Sequence, residues 1–165
     1  MRVLILPFVL CYNETIVKIT IISVGAKPKP ETEYLINDFL KRLPRTIDVV
    51  WRYIKHSNGE PAISKLKEAE SILRAIPDDA KVILLDEKGQ QLTSPQLANK
   101  VFHNPKNIVF VIGGAYGVTK SVKDRSDFVW SLGSLVFPHQ LVRVILAEQL
   151  YRAHSISTGH PYHHG

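Results

Sequence analysis

The chain has 165 residues, a length that suits one domain with a single hydrophobic core. Hydrophobic residues make up 45% of it and charged residues 22%, a mixture that excludes an intrinsically disordered protein. The formal net charge of +6 favours a polyanionic partner such as nucleic acid over a role in solubility alone. The single cysteine, Cys11, excludes an intramolecular disulfide and favours a cytoplasmic protein.

The N-terminal segment has a character of its own. Its apolar run from Val3 to Leu10 resembles part of a signal peptide, but Pro7 interrupts the run and no small-residue cleavage site follows. The run is also far too short to span a membrane. Because a second strand-like segment begins at Val17, we expect residues 1–16 to be an extension that the core does not need, and residues 17–165 to form one domain.

Apolar periodicity predicts strands and helices that alternate along the chain. In chain order they are strand 17–24, helix 31–43, strand 47–55, helix 61–76, strand 80–89, helix 94–102, strand 107–114 and a final helix 138–156. Strands that are apolar on both faces are typical of a largely parallel sheet covered by helices on both sides. The sequence therefore predicts an α/β domain, in which ligands lie beyond the carboxyl ends of the strands.

Specific residues set the helix boundaries and faces. Pro44 closes the first helix, and Ser94 with Pro95 predicts an N-cap and a first-turn proline for the third. The second helix is predicted to bury one stripe, formed by Ala62, Leu66, Ala69, Leu73 and Ile76.

The final helix carries apolar residues on more than one face, namely Leu141, Val142, Val144, Ile145, Leu146, Leu150 and Tyr151. A helix on the surface of a small domain needs only one covered face. Since Arg143, Glu148 and Arg152 also lie along it, a subunit interface explains the extra apolar width better than a membrane does. We expect a homodimer that uses this helix.

Two loops have unusual compositions. The segment "GGAYGVTKS" (113–121) resembles a phosphate-binding loop, but Thr119 stands where the glycine before the lysine is required, and the dinucleotide fingerprint also fails. What remains is a glycine turn that either approaches a ligand or simply turns the chain. The segment "SLGSLVFPHQLVR" (131–143) is either an apolar cofactor wall or a crossover inside the core.

The histidine-rich tail invites a metal-site interpretation through His160, His163 and His164. Catalytic zinc needs ligands held in order, and no carboxylate follows Glu148, so we predict no native metal site. A serine hydrolase is also excluded, because no G-x-S-x-G segment occurs.

Taken together, "FVIGGAYG", "SLGSLVFPHQLVRVILAEQLYRAHSI" and the terminal "PYHH" closely resemble the SPOUT-class RlmH methyltransferases. Members of this family methylate N3 of a pseudouridine in helix 69 of 23S ribosomal RNA. The resemblance implies a C-terminal deep trefoil knot, an exception to the rule that chains avoid threading loops. It also implies an obligate homodimer that binds S-adenosylmethionine in the knot and acts on the assembled ribosome.

The resemblance also implies the positions of the site. The cofactor-binding residues would be Leu85, Gly113, Leu132, Gly133, Ser134, Leu135, Val136 and Phe137. Loss of the imide proton at N3 would be assisted by a residue from the set Tyr162, His163, His139 and Arg143. We rank Tyr162 and His163 first, since the tail could reach the cofactor of the other subunit. Family members often carry Lys or Arg where this chain has His164, which puts direct tail contact with RNA phosphates in doubt.

Two other functions share this pattern. One is a ribosome-binding module that keeps the fold without activity, and the other is a knotted methyltransferase acting on transfer RNA. Intact cofactor residues favour the active enzyme over the module, whereas the transfer RNA enzyme would differ only in its substrate.

Overall fold

The computed structural model describes residues 16–103 and 107–162. Nearly all of the predicted extension lies outside these residues, as do His163 and His164. The elements in chain order are β1 (Val17–Val24), α1 (Pro30–Leu40), β2 (Ile47–Ile54), α2 (Pro61–Ala75), β3 (Lys81–Gln91), α3 (Ser94–Phe102), β4 (Ile108–Ile112), α4 (Lys120–Arg125), β5 (Phe128–Ser131) and α5 (His139–Thr158).

The five strands form one sheet in the order β2-β1-β4-β3-β5, and every neighbouring pair is parallel. This confirms the predicted α/β fold with a parallel sheet. β4 lies at the centre and is buried at every position, as its unbroken Ile-Val-Phe-Val-Ile sequence predicts. The pairing of β3 with β5 shifts register between Leu85 and Gln90, so the outer half of β3 departs from the regular sheet there.

Two apolar layers cover the sheet. On one face, Leu97 of α3 and Leu146 of α5 pack against Ile19 and Phe110 of the central strands. On the other face, Ile72 of α2 and Val122 of α4 pack against a second set of strand residues. Helices thus cover both faces, and the carboxyl edge of the strands is left for a ligand.

The structure corrects three details of the predicted helices. In α2 the side chain of Leu66 is 59% exposed, whereas Glu68 is buried beside Ala69 and Ile72. α1 ends at Leu40 rather than Leu43, and Ile36 is its fully buried residue. The N-cap of α3 is Thr93, because a capping box joins its backbone and side chain to Gln96.

β5 and α4, which have four and six residues, are too short for the apolar periodicity to predict them. β5 aligns with β3 through backbone pairing, and the Asp127 carboxylate before it accepts a hydrogen bond from Val82 N–H at 2.7 Å. Within residues 16–103 and 107–162, no helix is long and apolar enough to cross a membrane.

Candidate active site at the carboxyl edge of the sheet

A cavity of about 470 Å³ lies where β3, β4 and β5 end. The sheet register places Leu85 beside both Ile112 and Trp130, so apolar residues of three neighbouring strands together form the floor of the cavity. The volume lies within the range of sites for small molecules and cofactors. Of the eight predicted cofactor residues, all except Ser134 line this cavity, namely Leu85, Gly113, Leu132, Gly133, Leu135, Val136 and Phe137.

The glycine turn, residues 113–118, forms one wall. Gly117 N–H donates to the Gly114 carbonyl at 2.9 Å, and Gly117 has φ +71°, a conformation that favours glycine. A Cβ on Gly113 would come within 2.7 Å of Val118 Cγ1, and one on Gly114 would collide with Glu68 Oε2. A side chain at position 113 or 114 would therefore force Val118, Glu68 or the turn itself to move.

The apolar run, residues 132–137, forms the opposite wall. Leu135 is 72% exposed and Val136 is 82% exposed, although both are among the residues that line the cavity. Ser134 Oγ accepts a hydrogen bond from Gln91 Nε2 at 3.3 Å, which ties the run to the end of β3. Large apolar side chains left in water are typical of a surface that a ligand or another subunit covers.

A charged group closes the cavity on the side of β3. Burial disfavours the charged form of Asp86, but Lys123 Nζ at 2.7 Å and the Lys88 backbone N–H at 2.9 Å outweigh it. The pKa of the Asp86 carboxyl is therefore below its usual value, and this carboxylate is ionised at neutral pH.

Two candidate catalytic residues lie at the start of α5. His139 lines the cavity, and burial, followed by the charge of Arg143, lowers its pKa and favours the neutral imidazole. Arg143 is fully buried and does not line the cavity. Its guanidinium donates to Ser23 Oγ at 2.9 Å, to the Ala26 carbonyl at 2.8 Å and to the Val24 carbonyl at 3.2 Å.

The described part of the tail folds back on the middle of α5. Tyr162 O–H donates to Glu148 Oε1 at 3.3 Å, and its ring centroid lies 4.7 Å from that of Tyr151. Arg152 pairs with the same carboxylate and stacks on the Tyr162 ring. Burial, then the charge of Glu148, raises the pKa of Tyr162, so its phenol is protonated at neutral pH. His163 lies outside the described residues.

The cavity also contains residues that the sequence did not single out. Tyr116 and Val118 belong to the glycine turn, Trp130 lies in β5, and Lys65 reaches the cavity from α2. Tyr116 was predictable, because it lies between Gly114 and Gly117 in a turn already singled out. Lys65 was not, because only the packing of α2 beside the turn brings it there.

Most of the chain is similar to known proteins. The family model that matches residues 17–163 is described as "Predicted SPOUT methyltransferase". A protein of Geobacter metallireducens named "Ribosomal RNA large subunit methyltransferase H" is 41% identical over 155 residues, which covers 89% of this chain and 99% of that protein. Proteins with the same name from Polynucleobacter asymbioticus and Bifidobacterium adolescentis are 40% identical over 149 residues and 41% identical over 157. Each of these alignments covers 88% of this chain, and they cover 98% and 99% of the relatives.

Proposed function

This chain belongs to the SPOUT methyltransferases of the RlmH family, and we propose that it methylates large-subunit ribosomal RNA with S-adenosylmethionine. The observation that carries the proposal is the cavity at the carboxyl edge of the sheet, which gathers seven of the eight cofactor residues implied by the resemblance. The finer proposal is that the acceptor is N3 of a pseudouridine in helix 69 of 23S ribosomal RNA, within the assembled ribosome in the cytoplasm.

The residues present suit this cofactor. The cavity has an apolar floor and an apolar wall for the adenine ring. The backbone groups of residues 132–137 can form hydrogen bonds with the polar edge of that ring. The close packing of Gly113 on Val118 brings the opposite backbone near the ligand. When bound, S-adenosylmethionine supplies a methyl group on a sulfonium, and the electron pair of the broken C–S bond returns to sulfur.

The protein must position the acceptor and manage one proton, because the imide N–H of the base has to be lost. The neutral His139 imidazole at the cavity can accept a hydrogen bond or a proton there. The Tyr162 phenol, which is protonated, can act only as a donor that stabilises developing negative charge. Arg143 holds the start of α5 on the end of β1, so we assign it a positioning role.

The tail would act in the partner subunit. Tyr162 packs near Glu148, which lies about 13 Å along α5 from His139, and Tyr162 does not line the cavity of its own chain. We therefore propose a homodimer in which each tail completes the cavity of the other subunit. Exposed apolar side chains support such an interface, namely Tyr34 and Leu35 of α1, Leu135 and Val136 of the apolar run, and Leu141 of α5.

The trefoil knot belongs to the same proposal. β5 lies at one edge of the sheet, while α5 packs across β1 and β4, where Arg143 bonds to the end of β1. The apolar run must therefore cross the carboxyl edge of the sheet between them. A threaded loop requires a crossing of this kind.

The experiment measures methylation of large ribosomal subunits from a deletion strain, with mass spectrometry of helix 69, alongside calorimetry with S-adenosylmethionine. We expect Tyr162→Ala and His163→Ala to lower methylation about 100-fold, the size typical of a lost acid–base or charge-stabilising group. Cofactor affinity and dimerisation should stay near wild type. His160→Ala is the control in the same tail and should retain activity.

Each result has a defined consequence. Wild-type turnover in both tail variants would remove the tail from the mechanism. No binding of S-adenosylmethionine to the wild-type protein would favour the inactive ribosome-binding module. Methylation of transfer RNA, with helix 69 left unmodified, would mean that the protein is a methyltransferase whose substrate is transfer RNA.

A further inference from the structure

A buried carboxylate lies behind the glycine turn. The Glu68 side chain on α2 is 3% exposed, and its Oε1 accepts a hydrogen bond from the Ser57 backbone N–H at 3.1 Å. Its Oε2 is buried and has no hydrogen-bond partner among the residues that the structure describes. This oxygen is directed at the turn, since a Cβ on Gly114 would collide with it. Burying a carboxylate that is only partly hydrogen-bonded is costly, and such groups are typical of functional sites.

The same carboxylate fixes a histidine. His56 Nδ1 lies 2.6 Å from Glu68 Oε1, although the imidazole is 44% exposed at its side chain. Two lone pairs would repel each other at this distance, so we assign the hydrogen of the neutral ring to Nδ1 and leave Nε2 as the free acceptor. Catalytic histidines are oriented by carboxylates in the same way.

His56 lies beside Tyr116, one of the residues that line the cavity, and is not itself among them. Its ring centroid is 6.4 Å from that of Tyr116, which lines the cavity and is 49% exposed. The charges of Glu68 and His56 also act on His139, which places the carboxylate and both histidines in one electrostatic cluster. An exposed aromatic ring beside a cofactor cavity is a surface on which a nucleobase can stack.

We propose that His56 and Tyr116 form the subsite for the methyl acceptor, a base with an acidic imide N–H, and that Glu68 is the positioning residue behind it. This inference rests on the proposed function. Tyr116 stacks on the base, and the imide N–H bond breaks with its electron pair remaining on N3. The proton moves to His56 Nε2, and the resulting imidazolium is stabilised by the Glu68 carboxylate. Because the imidazole is partly exposed, it then returns the proton to water.

A purely structural pair would behave differently. If His56 serves only to satisfy Glu68, asparagine at position 56 can supply an N–H in place of Nδ1–H and should preserve function. If Nε2 is the proton acceptor, asparagine leaves no base there. His56→Asn therefore separates the two roles, and since His56 is partly exposed, this variant should fold.

The experiment compares wild type, His56→Asn, His56→Ala and Glu68→Gln in single-turnover methylation of large ribosomal subunits. His103→Asn is the matched control, at the end of α3 on the opposite face of the sheet. We expect both His56 variants to lose about 100-fold in rate, the size typical of a lost general base. Glu68→Gln should lose about tenfold, because the acceptor atom remains while the negative charge is removed. The affinity for S-adenosylmethionine should change less than twofold in all four variants.

Two further measurements test the geometry, and the first of them requires no turnover of the enzyme. Nitrogen-15 NMR of the free wild-type protein should show His56 with a protonated Nδ1 and an unprotonated Nε2. Tyr116→Ala should raise KM for ribosomal subunits about tenfold, whereas Tyr116→Phe, which retains the ring, should keep the wild-type KM.

A wild-type rate in His56→Asn, or the opposite tautomer of His56, would overturn this inference while leaving the proposed function standing. Failure of the wild-type protein to bind the cofactor or to methylate the subunits would instead remove the proposed function, before any variant is compared.

Discussion

The two walls of the cavity differ in how they are held. The glycine turn is fixed by its own chain, through the Gly117–Gly114 hydrogen bond and close packing against Val118 and Glu68. The apolar run faces it with two exposed large side chains, and the hydrogen bonds that hold it lie in its first half, where Ser131 Oγ bonds to the Gly133 backbone and Gln91 bonds to Ser134. One wall is therefore preorganised before any ligand arrives, while the other gains apolar burial when a ligand or a second subunit covers it.

The strongest test removes the anchor at the end of the apolar run. Arg143→Ala should lower the free energy of unfolding by about 3 kcal/mol or more, because two buried acceptors and the partly buried Ala26 carbonyl lose their donor and a cavity is left. Chemical denaturation measures the loss. Arg152→Ala is the control, since its ion pair with Glu148 is partly exposed and should be worth about 1 kcal/mol or less. An Arg143→Ala protein with wild-type stability and no activity would contradict the positioning role and favour direct participation in catalysis.

The next test disturbs the preorganised wall. Gly114→Ala should cost about 1–3 kcal/mol of stability, the usual effect of an extra methyl group in a packed interior. The new Cβ meets Glu68 Oε2 and approaches Val24 Cγ1 to 3.2 Å, so either the Glu68 side chain or the turn must move. We expect the turn to move and the cofactor affinity to fall about tenfold.

Gly159→Ala is the control for the Gly114 variant. Its φ of +69° imposes a backbone cost of about 1–2 kcal/mol, but it lies at the far end of α5 with no atom within 4 Å of the new Cβ. Cofactor affinity, measured by calorimetry, should therefore be unchanged in this variant. Equal cofactor affinity in both variants would show that the turn is not a rigid wall.

A third test addresses the exposed wall. The double substitution Leu135→Ser and Val136→Ser should change the stability of the isolated subunit by no more than about 0.5 kcal/mol, because both side chains lie in water. Cofactor affinity should nevertheless fall at least tenfold, since the burial of two apolar side chains on binding is lost. Leu66→Ser provides the control, because Leu66 is similarly exposed on α2 and does not line the cavity. If the double variant lost as much free energy of unfolding as free energy of cofactor binding, the apolar run would already be packed in the free subunit.

The sequence predicted the parallel sheet well. Apolar strands alternating with helices were sufficient for it, because that prediction depends on local patterns, which the fold preserves. The cofactor role of residues 85, 113 and 132–137 was implied by the resemblance and stays a prediction. Only Ser134 of the cofactor residues fails to line the cavity, because its side chain bonds to Gln91 instead.

Residues whose role depends on long-range packing were missed. The periodicity of α2 assigned Leu66 to the core and did not single out Glu68, yet Leu66 is exposed and Glu68 is buried. Glu68 can be buried because Ser57 and His56, which lie before the helix, place a backbone N–H and an imidazole Nδ1 beside its carboxylate. Arg143 resembled a surface cation on an amphipathic helix, but the end of β1 provides it with buried acceptors. No local pattern encodes such partners.

The smallest expected effect concerns pH and the histidine that follows the apolar run. Burial, then the charges of Arg143 and His56, lower the pKa of His139 from its ordinary value of 6.5. The Glu68 carboxylate opposes them but does not outweigh them. Burial, then His160, likewise lowers the pKa of His154. Below pH 6.5 the unfolded chain therefore binds protons at these sites more readily than the folded chain does.

Stability should consequently be complete above about pH 7 and decline as pH falls through 6.5 toward the lower folded pKa values. Thermal unfolding between pH 5 and 8 measures this slope. The double variant His139→Gln and His154→Gln should show a shallower decline over the same range, whereas His103→Gln, in which the replaced histidine is exposed, should follow the wild-type curve. Identical slopes in the wild type and the double variant would show that neither imidazole is held neutral by its surroundings.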